Sequence, residues 1–443
     1  MQLRTNVLVI GGGVGGLTVA LKLAKCGIGV TVVEQSKGSV HLYKGELVQP
    51  KTLQIFDSIG LQSPVLKKGH VINDIDIVER KNRSAPIDDL PVQSMSYNVL
   101  PHPFHHALMI PHETLKNILL EEAMKYPSFQ YIQPARFLGF SNGQGRVKIG
   151  KEEVLIHADY YISAEGRKSK VRDEMDLGKK EKKYDHHFLT VTFPRPPTLT
   201  EGKIISNNHT FLGLFPLPGE MVRSVYLIPK GSYKRMIEEG LEEFYKKYLE
   251  LCPSLDGYVQ QIDSWKKIQL MIPVHYHVNH YVKNNIVLLG DAAHSVHPMA
   301  GEGMNLAIQD ADVLGELLCW MYEHNKHSND FLLLYEKVRK PRVQHILKLS
   351  HLSALAYSRP LRSFVSWRNK VMEQLTSDPI LHIKHMLNIS GLGIWKESII
   401  DRAIQTGVVP KRQEDEGFQL DKRHLFTEIE DYPWRGMKEE TKG

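Results

Sequence analysis

Long apolar runs are missing from this 443-residue chain, and no stretch reaches the roughly 20 residues needed to cross a bilayer as a helix. Cysteine is scarce. Cys26, Cys252 and Cys319 are odd in number, far apart and without C-x-x-C spacing, which points to a reducing compartment and away from a zinc site. Neither sign of charge is gathered into an arm: 56 Lys and Arg face 50 Asp and Glu for a net +6, spread along the chain. Nucleic-acid binding therefore gains no support, and the small excess would at most assist weak contact with an anionic membrane surface. No internal repeat is visible, and the first apolar strand follows Met1 too closely for a signal peptide. The expectation is a cytoplasmic protein, peripheral to a membrane at most. What remains is an ordinary globular composition, 42% hydrophobic and 24% charged, in a chain long enough for two or more structural units.

The first informative stretch is "NVLVIGGGVGGLTVALKLAKCGIGVTVVEQ". Val7 to Ile10 has the uncharged, β-rich character of a strand buried on both faces. Gly11, Gly13 and Gly16 follow in G-x-G-x-x-G spacing, with Val14 and Gly15 between them. The first glycine allows a tight turn, the second lets backbone approach a pyrophosphate, and the third lets helix pack on strand. Leu17, Ala20, Leu21 and Ala24 then share one helical face, and the N-terminus of that helix presents free N–H groups to phosphate. Gly27 and Gly29 end it, Val30 to Val33 make a second strand, and Glu34 and Gln35 close the unit where a carboxylate can accept ribose hydroxyls. All parts fall in order within about thirty residues, which makes the glycines a dinucleotide site rather than a turn alone. Glu34 would repel a 2′-phosphate, so FAD and NAD remain and NADP does not fit at this position.

Further along, "LVQPKTLQIFDSIGL" reads as a helix ending at Gly60, and "INDIDIVER" as a strand followed by a polar loop. "PHETLKNILLEEAMKY" is an amphipathic helix started by Pro111, and "VLIHADYYISAEG" returns to a buried strand. Between about 180 and 282, "HHFLTVTFPR", "NHTFLGLFPLPGE" and "VRSVYLIPK" predict an antiparallel sheet beside the helix "LEEFYKKYLELCPSL". The last hundred residues alternate helices and turns and end in a charged tail, "PWRGMKEETKG", expected to be mobile.

"NNIVLLGDAAHSVHPMAGEGMNLAIQDADVLGELL" is not a second G-x-G-x-x-G. Its strand delivers Gly290 and Asp291 at the carboxyl end, where ligands bind in open α/β sheets. Asp291 can accept hydrogen bonds from a polyol such as a ribityl chain. Pro298 fixes a turn, and Gly301 and Gly303 let backbone approach a flat ring. The helix that opens there, through Met304 and Asn305, aims N–H groups at negative charge on that ring.

In these residues the chain resembles the FAD-dependent aromatic hydroxylases, the class A flavoprotein monooxygenases that include p-hydroxybenzoate hydroxylase and the ubiquinone-biosynthesis hydroxylases. The family pattern G-D-A-A-H followed by P-x-x-G-x-G-x-N is present as Gly290 to His294, then Pro298, Gly301, Gly303 and Asn305. The middle motif "ADYYISAEGRKSKVR" is similar to the family's D-G sequence, with Gly166, Ser169 and Arg172 in place and Glu165 where the family has Asp. His112 stands where the family commonly has Arg, three residues before Leu115, and analogy puts Lys44 near the flavin end. The resemblance implies an α/β chain with three parts. These are a discontinuous Rossmann-like FAD-binding domain (1–70, 101–178 and 283–345), an inserted antiparallel-sheet substrate domain (71–100 and 179–282), and a C-terminal helical segment and tail (346–443). It implies FAD as cofactor, NADH or NADPH as transient reductant, and O2 added at the flavin C4a. The hydroperoxide so formed hydroxylates an aromatic, quinolone or quinone-like small molecule, and the protein acts as monomer or homodimer. Catalysis would be flavin-mediated, with no assigned catalytic side chain and no metal.

Other features read more plainly. His275 and His277 share a strand face without a carboxylate or cysteine partner spaced for a metal, and "PHPFHH" is a proline-bounded loop. His294 and His297 support the flavin motif, "GKKEKKYD" is a solvated turn, and "RPLRSFVSWRNK" packs as core rather than on a membrane. A W-x-W-x-I-P halogenase motif is absent. A same-fold flavin reductase or dehydrogenase stays open, as does a flavin-binding protein that shields a reactive intermediate.

Overall fold

The uncharged runs around Val7 and Val30 lie side by side as parallel strands, Gln2–Ile10 and Val30–Val33, with Val7–Ile10 and Val30–Val33 buried on both faces. The computed structural model describes residues 2–38, 45–80, 90–207, 210–358, 362–413 and 420–437. The main sheet runs Val282–Lys283, Ile286–Leu288, Glu152–Ser163, Gln2–Ile10, Val30–Val33, Phe129–Ile132, parallel except at its first pair. An antiparallel pair, Ala135–Ser141 and Gln144–Ile149, extends from the strand Glu152–Ser163. This is the Rossmann-like α/β arrangement that the alternation of strands and helices implies.

A second, seven-stranded sheet has the order Gln269–Met271, His186–Pro194, Met221–Pro229, Phe211–Leu217, Gly202–Ser206, Asp74–Glu79, Val92–Ser96. It is antiparallel apart from one parallel pair, Gly202–Ser206 with Asp74–Glu79, through which the chain around residue 75 joins a sheet made mostly after residue 185. The charged residues of "GKKEKKYD" are exposed while Tyr184 is buried, and the stretch is more than a turn: Lys182–Lys183 pairs with Val274–His277, which pairs in turn with His294–Ser295.

The helix Gly303–Glu323 is buried on nearly every side, with Asn305, Asp310 and Asp312 buried among its apolar residues. It lies against the helices Val14–Lys25 and Leu332–Ser358. Its packing brings together two cysteines that lie far apart in the sequence. Cys26 and Cys319 are 293 residues apart in sequence, but the helix pair brings their Cα atoms to 6.1 Å, joined as a disulfide. Cys252 is buried elsewhere.

A correction concerns the tail. Pro433–Gly436 forms a short 3-10 turn, and Trp434 is 0% exposed, packed into the core cluster of the main sheet. Charge complementarity holds it there. Asp431 pairs with Lys51 at 2.7 Å and with Arg342, the Tyr432 hydroxyl donates to Asp312 at 2.8 Å, and Arg435 meets Glu316 at 2.7 Å. The charged composition predicts mobility, yet Asp431 and Arg435 each have a partner on the body of the protein. Residues 438–443 of that tail lie outside the described residues. Among the described residues no helix is long and apolar enough to cross a membrane.

Replacing Trp434 by Ala should lower stability by about 3–5 kcal/mol, the range for truncating a fully buried aromatic. Urea unfolding followed by far-UV circular dichroism checks it, and an unchanged midpoint would mean that the segment is not docked.

Candidate functional site

The parallel strands end together, so their carboxyl ends carry the glycine-rich turn, Glu34, Glu165 and the Gly290 turn along one edge. Gly11 has φ +111°, and a Cβ there would stand 2.3 Å from the Ala164 carbonyl oxygen. A Cβ on Gly16 would stand 2.1 Å from the Gly11 oxygen, so this glycine sets the approach of helix to strand. Gly13 differs: a Cβ there would meet nothing within 4 Å, which leaves its backbone open at the helix N-terminus. Val14, Gly15 and Gly16 are buried in the helix behind it. Glu34 accepts hydrogen bonds from the amides of Gly12 at 2.7 Å and Ser36 at 2.8 Å. Burial opposes its charge, but the Ser36 and Gly12 hydrogen bonds outweigh that and hold its carboxyl below the ordinary value. Gln35 is exposed beside it, and Lys44 lies outside the described residues.

Glu165, with one methylene more than the family's Asp, turns its carboxylate back onto the chain. It accepts from the Ser163 hydroxyl at 3.0 Å, the Ser169 hydroxyl at 2.9 Å and the Val171 amide at 3.0 Å. Gly166 follows at φ +76°, and Arg172 reaches across to donate to the Ala292 carbonyl at 3.1 Å. His112 is buried in the first turn of the helix His112–Ala123.

The Gly290 turn is held from beneath. Asp310 accepts from the Gly290 amide at 3.0 Å, His294 at 2.7 Å and Arg339 at 2.7 Å. Burial opposes this charge, but His294 and Arg339 hold the carboxyl down to about 2. The Asp291 carboxylate makes no hydrogen bond among the described residues, and burial pushes it up. Beyond Pro298 the chain reaches Gly301 at φ +65° and then Gly303, the first residue of the long helix. Asn305 ties this loop to the opposite wall: its oxygen accepts from the Gln49 amide at 2.9 Å and the Thr52 hydroxyl at 2.8 Å. Its amide donates to the carbonyls of Leu47 at 2.9 Å and Gly301 at 3.0 Å, and Met304 packs with Val14 and Ile308. An open glycine backbone at a helix N-terminus and an unpartnered carboxylate at a strand end are what a pyrophosphate and a polyol chain require. The residues present fit FAD.

Several groups in this region escaped the sequence reading. His186 touches His297 at 2.8 Å, and both are buried. Burial, with neighbouring histidines, pushes His186 down to about 4 and His297 to about 2, so both rings are neutral at pH 7. Glu302, between the two motif glycines, is 1% exposed with neither carboxylate oxygen hydrogen-bonded among the described residues. Burial raises it well above the ordinary value despite the adjacent Gln49 side chain, which also accepts from Tyr97 at 3.0 Å. An acid inside an otherwise small and apolar motif was the available signal for Glu302; His186 had none. His277 bonds the Tyr281 hydroxyl at 2.6 Å, and no group that could hold a metal occurs among the described residues.

Two outcomes follow from this geometry. Gly13→Ala should fold with a loss within about 1 kcal/mol but bind FAD about tenfold or more weakly, because its methyl enters the ligand's space. Gly16→Ala should lose about 1–3 kcal/mol or more, because its methyl enters the protein itself. Melting curves beside FAD titrations separate the two. For His186 and His297 the folded values lie below the unfolded value of about 6.5, so the unfolded chain takes up more protons as pH falls. Stability present above that value should be lost from about pH 6.5 to about 4, at about 1.4 kcal/mol per pH unit for each histidine. Urea midpoints across that range should fall less steeply in His297→Gln, and equal slopes would contradict the assignment.

The FAD binding domain family matches this chain over residues 4–350. The 6-methylpretetramide 4-monooxygenase of Streptomyces rimosus is 26% identical over 359 residues, covering 78% of this chain and 82% of that protein. A ubiquinone hydroxylase of Rhodospirillum rubrum is 24% identical over 363 residues, covering 79% of this chain and 80% of its own. The crystal structure of a p-nitrophenol 4-monooxygenase from Pseudomonas putida superposes with a TM-score of 0.78 at 18% identity, over 88% of this chain and 98% of that one. With the open Gly13 turn, the Gly290–Asp291 turn and this match, the chain belongs to the FAD-binding-domain family of aromatic hydroxylases and is an FAD-dependent monooxygenase.

Proposed function

We propose that this protein hydroxylates an aromatic, quinolone or quinone-like small molecule, using O2 and electrons from NADH or NADPH. One observation carries the reading: the loop within the flavin motif packs Met299 against an apolar cluster of the seven-stranded sheet, Phe188, Phe211 and Leu227, with Tyr357 beside it. A flat apolar substrate lying there would face the motif on one side and aromatic side chains on the other, with water excluded. The relatives named for 6-methylpretetramide and ubiquinone support the class.

In this reading Gly11, Gly13 and the helix starting at Val14 bind the pyrophosphate, Glu34 the ribose, and Asp291 the polyol chain. The N-terminus of the helix Gly303–Glu323 faces the ring and favours negative charge on it. FAD, when bound, supplies the redox chemistry between nicotinamide and O2. Segments 1–70, 101–178 and 283–345 then form the FAD-binding unit, 71–100 and 179–282 the substrate side, and 346–443 the closing helices.

The test is a visible spectrum of the purified protein, then NADH and NADPH oxidation in air against phenols, quinolones and quinone precursors. The expected result is a flavin spectrum, oxidation stimulated by one of these classes, and a product heavier by one oxygen atom. Absence of flavin after reconstitution with excess FAD would overturn the cofactor assignment. Stimulated oxidation that needs no O2 would point instead to a reductase.

A further inference from the structure

In "HYHVNHY" the two histidines of the strand Val274–His277 lie on one face and Tyr276 on the other, as alternation along a strand requires. His277 bonds the Tyr281 hydroxyl at 2.6 Å, and His275 lies 5.7 Å from His351 between ring centres. Tyr276 is 1% exposed and turns toward the Gly290 turn, because its strand pairs with His294–Ser295 just beyond it. There its hydroxyl donates to the Asp291 carbonyl. Burial pushes the hydroxyl up, so it keeps its proton and stays a donor. Arg172 backs it: one guanidinium nitrogen donates to the Tyr276 oxygen at 3.3 Å and to the Ala292 carbonyl at 3.1 Å. A hydroxyl that accepts from a guanidinium is polarised, which strengthens the bond it donates.

These contacts close around one residue. The Gly290 carbonyl accepts from the Ala293 amide at 2.8 Å, which holds the peptide before Asp291, and Asp310 holds the Gly290 amide. Tyr276 holds the peptide after Asp291, whose other end, the Ala292 amide, donates to the Leu289 carbonyl at 3.3 Å. With both planar peptides fixed, φ and ψ of Asp291 are fixed too, and only side-chain rotation remains. The carboxylate therefore leaves the turn in a set direction, partly exposed and without a hydrogen bond among the described residues. Tyr276, being buried, cannot turn its hydroxyl to water instead.

We infer that Tyr276 is a positioning residue for flavin binding: its hydroxyl, backed by Arg172, fixes the peptide that follows Asp291 and so aims that carboxylate at the polyol chain. The inference rests on the FAD reading and adds to it a residue outside the glycine-rich, middle and Gly290 motifs. Tyr276 acts through Asp291, not on the cofactor directly.

The test compares four FAD-loaded proteins: wild type, Tyr276→Phe, Asp291→Ala and the double variant. FAD release on dilution is followed by the rise in flavin fluorescence. ADP, which carries the adenosine and pyrophosphate but no polyol, is titrated by calorimetry into each protein after its FAD has been removed. Tyr276→Phe should release FAD about fivefold faster and Asp291→Ala about tenfold faster, the effect of losing one neutral and one charge-assisted hydrogen bond. The double variant should release FAD as Asp291→Ala does, within about twofold, because Tyr276 acts through a carboxylate that is no longer there. ADP should bind all four proteins within about twofold of one another. Effects that multiply in the double variant, to about fiftyfold, would make Tyr276 independent of Asp291 and overturn the inference. So would ADP weakened in step with FAD by Tyr276→Phe, the sign of general loosening, or release no faster than in wild type. Wild-type protein that takes up no FAD would overturn the cofactor reading and the inference with it, whereas the other adverse outcomes strike the inference alone.

Discussion

Asp310 carries a negative charge to the centre of the molecule, where it is 0% exposed, and three groups answer it: the Gly290 amide, His294 and Arg339. A buried carboxylate with partners on both oxygens tolerates no rearrangement, since moving any partner leaves a charge unmet in a low dielectric. The partners come from the Gly290 turn, the strand after it and the helix Leu332–Ser358, while Asp310 itself lies in the long helix. Four elements are thereby locked at the carboxyl edge of the main sheet. The seating of the Gly290 turn against the helix Gly303–Glu323 follows from that lock.

Charge is divided unevenly across the molecule. On the main-sheet side, buried ions are paired: Asp310 with Arg339, Lys22 with Asp312 and Glu316, Lys51 with Asp431. Where the flavin loop meets the seven-stranded sheet, His186 and His297 are neutral and Glu302 is pushed toward its protonated form, while the ions nearby are paired, Arg368 with Glu79 at 2.6 Å and Arg223 with Glu46 at 2.7 Å. The physical reason is the same on both sides, because burial penalises any charge without a partner. Paired ions give the main-sheet side a rigid frame, and the neutral histidines add no charge to the aromatic cluster they border. Asn305 spans the two, binding the wall around Gln49 and the loop at Gly301 with four hydrogen bonds.

The glycine fingerprint, the strand and helix order around it, and the motif from Gly290 to Asn305 were legible in the chain. Each states a local requirement: backbone at positive φ, a bare amide, or a carboxylate at a strand end has to be written within a few neighbouring residues. The sequence by itself thus determined the fold class and the cofactor. Tertiary structure alone decided the rest. His186 meets His297 across 111 residues, Cys26 meets Cys319 across 293, and Trp434 leaves a charged tail to enter a core. Such pairings depend on how twisted sheets and crossing helices pack, which no short window of residues encodes. Protonation follows packing as well, since a histidine or glutamate in the sequence acquires its charge state only from the partners and burial that the fold supplies.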